Sequence, residues 1–286
     1  MKSTLTYQSV WRRLAKIYGE GEAKALTRMV YELRYGLTLS DLYVGRDVEV
    51  PQDELEDVVC RLEQHEPIQY IIGVAEFCGR RFMVDRRVLI PRPETEELCG
   101  WVLSEKSSLE QLTGGCSILD VGTGSGCIAI TLAAGIPQAK VTAWDLSEGA
   151  LQVARMNAKR IRVDVSFVQM DALNIPHTSS SSGSGYDIIV SNPPYIINKE
   201  RANMEANVLN YEPHNALFVP DNDPLRFYRA ISQYALVALR TDGWLYFEIN
   251  PLYAEDLKLM LQTMGFHSIE VKKDQYGKQR MMRARR

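Results

Sequence analysis

Ser117-Ile118-Leu119-Asp120-Val121-Gly122-Thr123-Gly124-Ser125-Gly126 is the stretch on which the fold turns. Its first five residues form an apolar run of strand length. The three glycines after it let the chain bend sharply and let a ligand approach the backbone closely. Ile128, Ala129 and Leu132 follow at helical spacing, so the stretch reads strand, tight turn, helix. The glycines are spaced G-x-G-x-G. That is neither the G-x-G-x-x-G of a dinucleotide site nor the G-x-x-x-x-G-K-[ST] of a phosphate-cradling loop, and the lysine of the latter is missing. A nucleotide-like ligand without a triphosphate suits such a turn. On the turn alone, a plain tight bend remains a serious rival.

Outward from this stretch, strands and helices alternate from residue 94 to the end. Strands are expected near 117–121, 140–144, 164–168, 186–190 and 244–249, and helices near 94–106, 126–134, 148–160, 224–239 and 252–264. Two last strands, near 267–273 and 279–283, flank the turn signal Tyr276-Gly277. The pattern predicts an α/β fold, a doubly wound sheet closed by an antiparallel hairpin. Residues 1–66 read instead as a small helical domain. Val10, Leu14 and Ile17, then Leu26, Met29, Val30 and Leu33, recur at three-to-four spacing, and Gly19 and Gly36 mark helix ends. Pro51-Gln52-Asp53 starts a further helix with Leu55, Val58, Val59 and Leu62 on one face. A packing module and a docking platform for a protein partner are both open for this domain. Ile68–Gly73, Phe77–Val84 and Val88–Ile90 are rich in β-formers, so 67–92 reads as a β-hairpin linker, leaving 93–286 as the sheet domain. Pro91-Arg92-Pro93-Glu94-Thr95-Glu96-Glu97 reads as a helix start, and Thr178–Gly185, serine and glycine after its first residue, as a flexible loop.

The chain has 286 residues, 45% of them apolar and 24% charged, with a net charge of −3. Such a balance gives no electrostatic reason to expect direct nucleic-acid binding. The 5 cysteines (Cys60, Cys78, Cys99, Cys116, Cys127) are scattered and odd in number, without metal-ligand spacing, which suits free buried thiols in a reducing compartment and no bound metal. Neither a signal-peptide core nor an apolar run long enough to span a membrane is visible, so a cytoplasmic location is expected.

Acids sharpen the reading of the glycine turn. Val141-Thr142-Ala143-Trp144-Asp145 ends one strand with a carboxylate able to accept from two ribose hydroxyls. Phe167-Val168-Gln169-Met170-Asp171-Ala172 ends another, where Asp171 can accept from an adenine amino group beside Ala172. Asp120 can orient the loop or meet an ammonium. A lone Asp at a strand end is ordinarily a cap or turn residue; three at successive strand ends beside the glycines are better explained by a ligand. S-adenosylmethionine fits the set Asp120, Gly122, Thr123, Gly124, Ser125, Gly126, Asp145, Asp171 and Ala172, because it offers a sulfonium, an ammonium, a ribose and an adenine but no phosphate.

A second stretch supplies the chemistry. Tyr186–Val190 reads as a buried strand, and Ser191-Asn192-Pro193-Pro194-Tyr195 follows it directly. Neither proline can donate to a sheet ladder, and each biases its predecessor away from helix, so the exit is stiff and extended. Stiffness aims the Asn192 side-chain oxygen and the Pro193 carbonyl, two acceptors that can hold a planar –NH₂ group. Tyr195 is expected to wall the amide plane, with Pro194 completing the substrate-contacting set and Asn192 adjoining the cofactor.

With these motifs in place, the chain resembles a known family. Asp120–Gly126 together with Asn192–Tyr195 resembles the amino-group branch of class I methyltransferases. Pro67-Ile-Gln-Tyr-Ile-Ile-Gly73, Ile90-Pro-Arg-Pro-Glu-Thr-Glu96, Tyr211-Glu-Pro-His-Asn-Ala-Leu217 and Tyr276-Gly-Lys-Gln-Arg280 narrow the resemblance to the HemK/PrmC type of protein-(glutamine-N5) methyltransferase. The resemblance implies methyl transfer from S-adenosylmethionine to the glutamine of the Gly-Gly-Gln motif of peptide chain release factors, a helical domain that helps dock the release factor, and a pocket-covering segment at Tyr211–His214; a monomer is expected. After Phe247-Glu248-Ile249 the family usually has Gly where this chain has Asn250, a residue that tolerates left-handed backbone. An adenine-N6 nucleic-acid methyltransferase, a ribosomal-protein glutamine methyltransferase and a non-catalytic binding module are the competing readings. Asn192, Pro193 and Tyr195 carry the expected chemistry, and the arginines of 280–286 read as a solvated terminus.

Overall fold

The computed structural model describes residues 4–105, 107, 109, 115–175 and 185–286. Most of the serine–glycine stretch read as a flexible loop, 178–184, lies outside the described residues. The chain divides into two compact units, Met1–Val74 with Glu205–Tyr211, and Ala75–Met204 with Glu212–Arg286.

The first unit is helical. Thr6 caps the helix Tyr7–Tyr35 by accepting from the Ser9 amide, and the helical course breaks at Gly19, where φ is 76° and ψ is 165°. Gly36 ends it in left-handed backbone, its N–H donating to the Tyr31 carbonyl. Leu55, Val58, Val59 and Leu62 of helix Gln52–Glu63 bury against Val10, Leu14 and Val30, whereas Ile17, expected in that stripe, is 40% exposed. Ile68–Ile72, expected in the β-hairpin linker, is a helix. Pro67 before it and left-handed Gly73 after it bracket about one turn, and burial of Ile68 and Ile71 outweighs the β preference of their branched side chains.

β1 (Val74–Phe77), all but its first residue in the second unit, and β2 (Arg80–Met83) form the predicted hairpin. Its turn is Cys78-Gly79, both at positive φ (47° and 69°), the two-residue geometry whose twist matches that of the strands. The glycine read as lying within a strand is therefore the turn, and Val88–Ile90 is not a strand. The main sheet comprises β3 (Ser117–Val121), β4 (Lys140–Asp145), β5 (Ser166–Gln169), β6 (Tyr186–Ser191), β9 (Leu239–Glu248), β10 (His267–Lys273) and β11 (Gln279–Arg285), in the order β10-β11-β9-β6-β3-β4-β5. A small pair, β7 (Ile196–Ile197) with β8 (Phe218–Val219), stands apart from it. Within the main sheet β11 runs antiparallel to both neighbours, while β9, β6, β3, β4 and β5 pair in parallel.

Alternation along the strands feeds two cores. Ile118, Ile188 and Val190 pack toward the helices Pro93–Ser104 and Cys127–Gly135, whereas Leu119, Ile189 and Leu245 pack toward Arg226–Ala238 and Ala254–Thr263. Met281, Met282 and Ala284 are buried in β11, so the arginine-rich end is an inserted strand rather than a solvated tail; the Arg283 guanidinium sits over the rings of Trp101 and Trp244 at 5.0 and 4.3 Å. From β3 the chain winds to β4 and β5 on one side and reaches β6 on the other. At such a reversal the carboxyl ends of the strands open a crevice. Among the described residues no helix is long and apolar enough to cross a membrane, and no group of three or more His, Cys, Asp or Glu is placed to hold a metal.

Candidate active site

The glycine turn is held by its neighbours' backbone. The Gly122 and Thr123 amides both donate to the Trp144 carbonyl, at 2.9 and 2.8 Å. Gly122 and Gly124 adopt φ of 78° and 54°, and a Cβ at either would meet no protein atom within 4 Å, so left-handed backbone rather than crowding demands glycine there. Gly126 differs, since its Cβ would lie 2.8 Å from Ile130 Cδ1 and 3.1 Å from Ala154 Cβ. Asp120 is fully buried, and its Oδ2 accepts from the Thr123 hydroxyl at 2.6 Å and the Ala129 amide at 3.1 Å. Of the two roles open to it, these contacts perform the first: Asp120 ties the turn to the helix behind it. Asp120, Thr123, Ser125 and Gly126 form the back of the loop, and Gly122 and Gly124 face the cleft.

Burial pushes the Asp120 carboxyl up to about 7, against the lowering pull of Thr123 and Ala129. Its ordinary value is 3.8, so between the two the folded chain holds a proton that the unfolded chain has released, and stability falls as pH rises through that window. Asp120→Asn removes the titration. Scanning calorimetry from about pH 5 to pH 8 should show a flatter decline of Tm than in the unaltered protein, and an unchanged slope would acquit this carboxyl.

At the carboxyl ends of β3, β4 and β6 lies a cleft of about 200 Å³ lined by Gly122, Gly124, Asp145, Asp171, Ala172, Asn192, Pro193 and Pro194 among others. Asp145 Oδ2 accepts from the Gly124 amide at 2.8 Å and Oδ1 from the Ser147 amide at 2.8 Å. Burial moves this carboxyl upward, and the Ser147 and Gly124 amides oppose the shift. Each oxygen has a second lone-pair site for a hydroxyl. Asp171 accepts from the Leu173 amide at 2.8 Å and the Asn174 side chain at 2.5 Å.

The rigid exit of β6 forms the opposite wall. The Ser191 hydroxyl donates to the Val121 carbonyl at 2.6 Å, pinning the exit to β3. Asn192 donates through Nδ2 to Thr95 Oγ1 at 3.1 Å; among the described residues nothing donates to its Oδ1 or to the Pro193 carbonyl. Tyr195 is placed otherwise than expected. It packs with the second core, its hydroxyl donates to Glu248 Oε1 at 2.9 Å, and it is not among the residues lining the cleft. It braces the motif instead of walling an amide. Asn250 needs no left-handed tolerance, its φ being −75°. Its Oδ1 accepts from the Leu252 amide at 3.0 Å and its Nδ2 donates to the Tyr195 carbonyl at 3.2 Å and to Glu200 at 3.0 Å, so the side chain fastens the far end of the motif.

Two buried residues emerge that the sequence reading had not placed in the site. Thr95, read only as part of a helix start, is 2% exposed and donates its hydroxyl proton to Glu248 Oε2 at 2.5 Å. Glu248 stands at the carboxyl end of β9, the same strand-end signal that singled out Asp145 and Asp171. The buried Glu212 carboxylate accepts from the Ile90 amide at 3.2 Å and pairs with Arg92; of the Tyr211–His214 segment expected to cover the pocket, Pro213 lines the cleft, together with Asn215 and Ala216 just after it.

A mixed sheet with parallel central strands, a glycine turn after β3, acids at the next strand ends and an Asn-Pro-Pro-Tyr exit opening on one crevice defines a class I methyltransferase. Residues 106–216 match the model of the methyltransferase small domain and residues 8–73 that of the PrmC N-terminal domain. Release factor glutamine methyltransferases from Bacteroides thetaiotaomicron (46% identical, covering 96% of each chain) and Flavobacterium psychrophilum (42%, covering 94% of each) are similar along nearly their whole length. A methyltransferase from Pyrococcus furiosus shares the fold, with a TM-score of 0.51 at 18% identity over 80% of this chain and 98% of its own. The chain belongs to the release factor glutamine methyltransferase family.

Proposed function

We propose that the chain transfers the methyl group of S-adenosylmethionine to the side-chain amide nitrogen of the glutamine in the Gly-Gly-Gln motif of peptide chain release factors, acting in the cytoplasm as a monomer. One observation carries the reading: Asn192 Oδ1 and the Pro193 carbonyl, adjacent acceptors in the cleft, take no hydrogen bond from any described residue. A primary amide brings two N–H donors, one for each.

The donor set suits the cofactor. Gly122 and Gly124 allow close approach, the Asp145 carboxylate is held by two backbone amides with lone pairs to spare for ribose hydroxyls, and Asp171 and Ala172 lie beyond it for an adenine. When bound, S-adenosylmethionine supplies an electrophilic methyl on a good leaving group. The protein's task is then positional. An amide nitrogen is a poor nucleophile because its lone pair is delocalised. Two fixed acceptors hold both N–H bonds and favour the nitrogen as it gains positive charge, in a site where they need no reorganisation. As the N–C bond forms, the S–C bond breaks and its electron pair stays on the sulfur of the leaving product; the methylated nitrogen is then strongly acidic, and its surplus proton would pass to water.

Incubation with methyl-labelled S-adenosylmethionine and, separately, a purified release factor, ribosomal proteins or DNA tests the assignment. Label is expected on the release factor and absent after its Gly-Gly-Gln glutamine is changed to alanine. Label on adenine of the DNA, or on a ribosomal protein alone, would replace the reading.

A further inference from the structure

A carboxamide has two ends of similar shape, and only one of them accepts. If Asn192 turned its –NH₂ to the cleft it would repel a substrate amide's N–H and invite a carboxylate instead. What keeps the oxygen outward lies behind it. Thr95 has one proton, and that proton is committed to Glu248 Oε2 at 2.5 Å. Facing Asn192, Thr95 Oγ1 therefore has only lone pairs to offer, and it receives the Asn192 Nδ2 donor at 3.1 Å. The other Glu248 oxygen takes the Tyr195 hydroxyl at 2.9 Å, so neither carboxylate oxygen is left to reverse the order. Glu248 is 1% exposed and burial raises its proton affinity, but the hydroxyls of Thr95 and Tyr195 and the positive charge of Arg280 oppose the rise, while Glu94 adds to it.

We propose that Thr95 and Glu248 are positioning residues that set the direction of the Asn192 carboxamide and thereby make the site select a glutamine over a glutamate. The chain runs Tyr195 and Thr95 into Glu248, and Asn192 into Thr95, and every hydrogen in it is assigned by the carboxylate at its end. Thr95 sits in the first turn of helix Pro93–Ser104 and Glu248 at the end of β9, so the fold's two rigid elements, not the loop, decide what the motif presents. The inference rests on the reading of Asn192 as the substrate acceptor.

Thr95→Val keeps the shape and deletes the acceptor. Glu248→Gln keeps the shape but offers one acceptor and one donor where two acceptors stood, so Thr95 can turn its proton toward Asn192. Thr95→Ser restores the hydroxyl. The readout is the ratio of Kd values, by calorimetry without S-adenosylmethionine, for a release factor carrying Gly-Gly-Glu against one carrying Gly-Gly-Gln. Thr95→Val and Glu248→Gln are expected to reduce this ratio about tenfold or more, whereas Thr95→Ser keeps it within about threefold. Melting temperatures measured alongside show that each variant is folded. A folded Thr95→Val or Glu248→Gln protein with the unaltered ratio overturns the proposal. Loss of binding to both release factors alike assigns the pair a structural role and overturns it too. If Asn192→Ala itself leaves the ratio unchanged, the underlying reading of Asn192 fails, an outcome distinct from either.

Discussion

Asn192→Ala is expected to slow methyl transfer to a release factor about 100- to 1,000-fold while leaving the Kd for S-adenosylmethionine within about threefold. The asymmetry follows from where the side chain is anchored. Asn192 reaches back through Nδ2 to Thr95, and the β6 exit that carries it is held independently by the Ser191–Val121 bond and by the two prolines. Truncation therefore leaves the glycine turn and Asp145 where they are. What it removes is one of two acceptors whose contribution grows as the substrate nitrogen becomes positive, an interaction stronger in the transition state than in the ground state. Single-turnover rates with saturating release factor, paired with calorimetric titration of S-adenosylmethionine, separate the two quantities. Equal losses in both would mean that Asn192 supports the fold and not the reaction.

Why the motif that carries Asn192 and Pro193 stands out in the sequence while its support does not comes down to range. Asn-Pro-Pro-Tyr is local: two missing N–H groups stiffen the exit whatever surrounds it, so the backbone course at Asn192 and Pro193 follows from four residues, while the direction of the Asn192 carboxamide depends on Thr95 behind it. Tyr195 was misread because an aromatic beside a reacting group is equally suited to wall it or to brace it. The choice depends on Glu248, 53 positions away. Thr95 and Glu248 meet across 153 positions, and no spacing within either segment announces the pair. The same holds for Asn250. Its importance was visible as a departure from the family pattern, but the expected reason was backbone freedom, whereas the side chain acts through bonds to Tyr195 and Glu200.

The sheet was readable for a related reason. Buried strands of apolar residues alternating with amphipathic helices leave little choice but a doubly wound arrangement, and strand limits came out within a few residues except at β9, which begins at Leu239 because that residue is buried and pairs with Tyr186. Ile68–Ile72 shows the opposite case. Its branched residues suit a strand, yet a proline before and a glycine after admit a single helical turn, and the helical unit's core takes up Ile68 and Ile71. Five residues carry too little periodicity to separate the alternatives.

Asp145→Ala is expected to weaken S-adenosylmethionine binding about 100-fold, with Asp145→Asn near tenfold, while single-turnover methyl transfer at saturating cofactor falls far less than in Asn192→Ala. A carboxylate accepting two ribose hydroxyls makes charge-assisted bonds of about 1.5–3 kcal/mol each, and partial replacement by water reduces the net loss on truncation. Asn keeps one acceptor but turns its –NH₂ toward either the Gly124 or the Ser147 amide, hence the intermediate value. The two backbone amides now aimed at Asp145 lose their acceptor in the alanine variant, so the turn at Gly124 is loosened as well. S-adenosylhomocysteine distinguishes ribose recognition from sulfonium recognition, because it keeps the ribose and lacks the charge. Its Kd should rise by the same factor as that of S-adenosylmethionine. A change confined to S-adenosylmethionine would move Asp145 from the ribose to the sulfonium and require the cofactor to lie the other way round in the cleft.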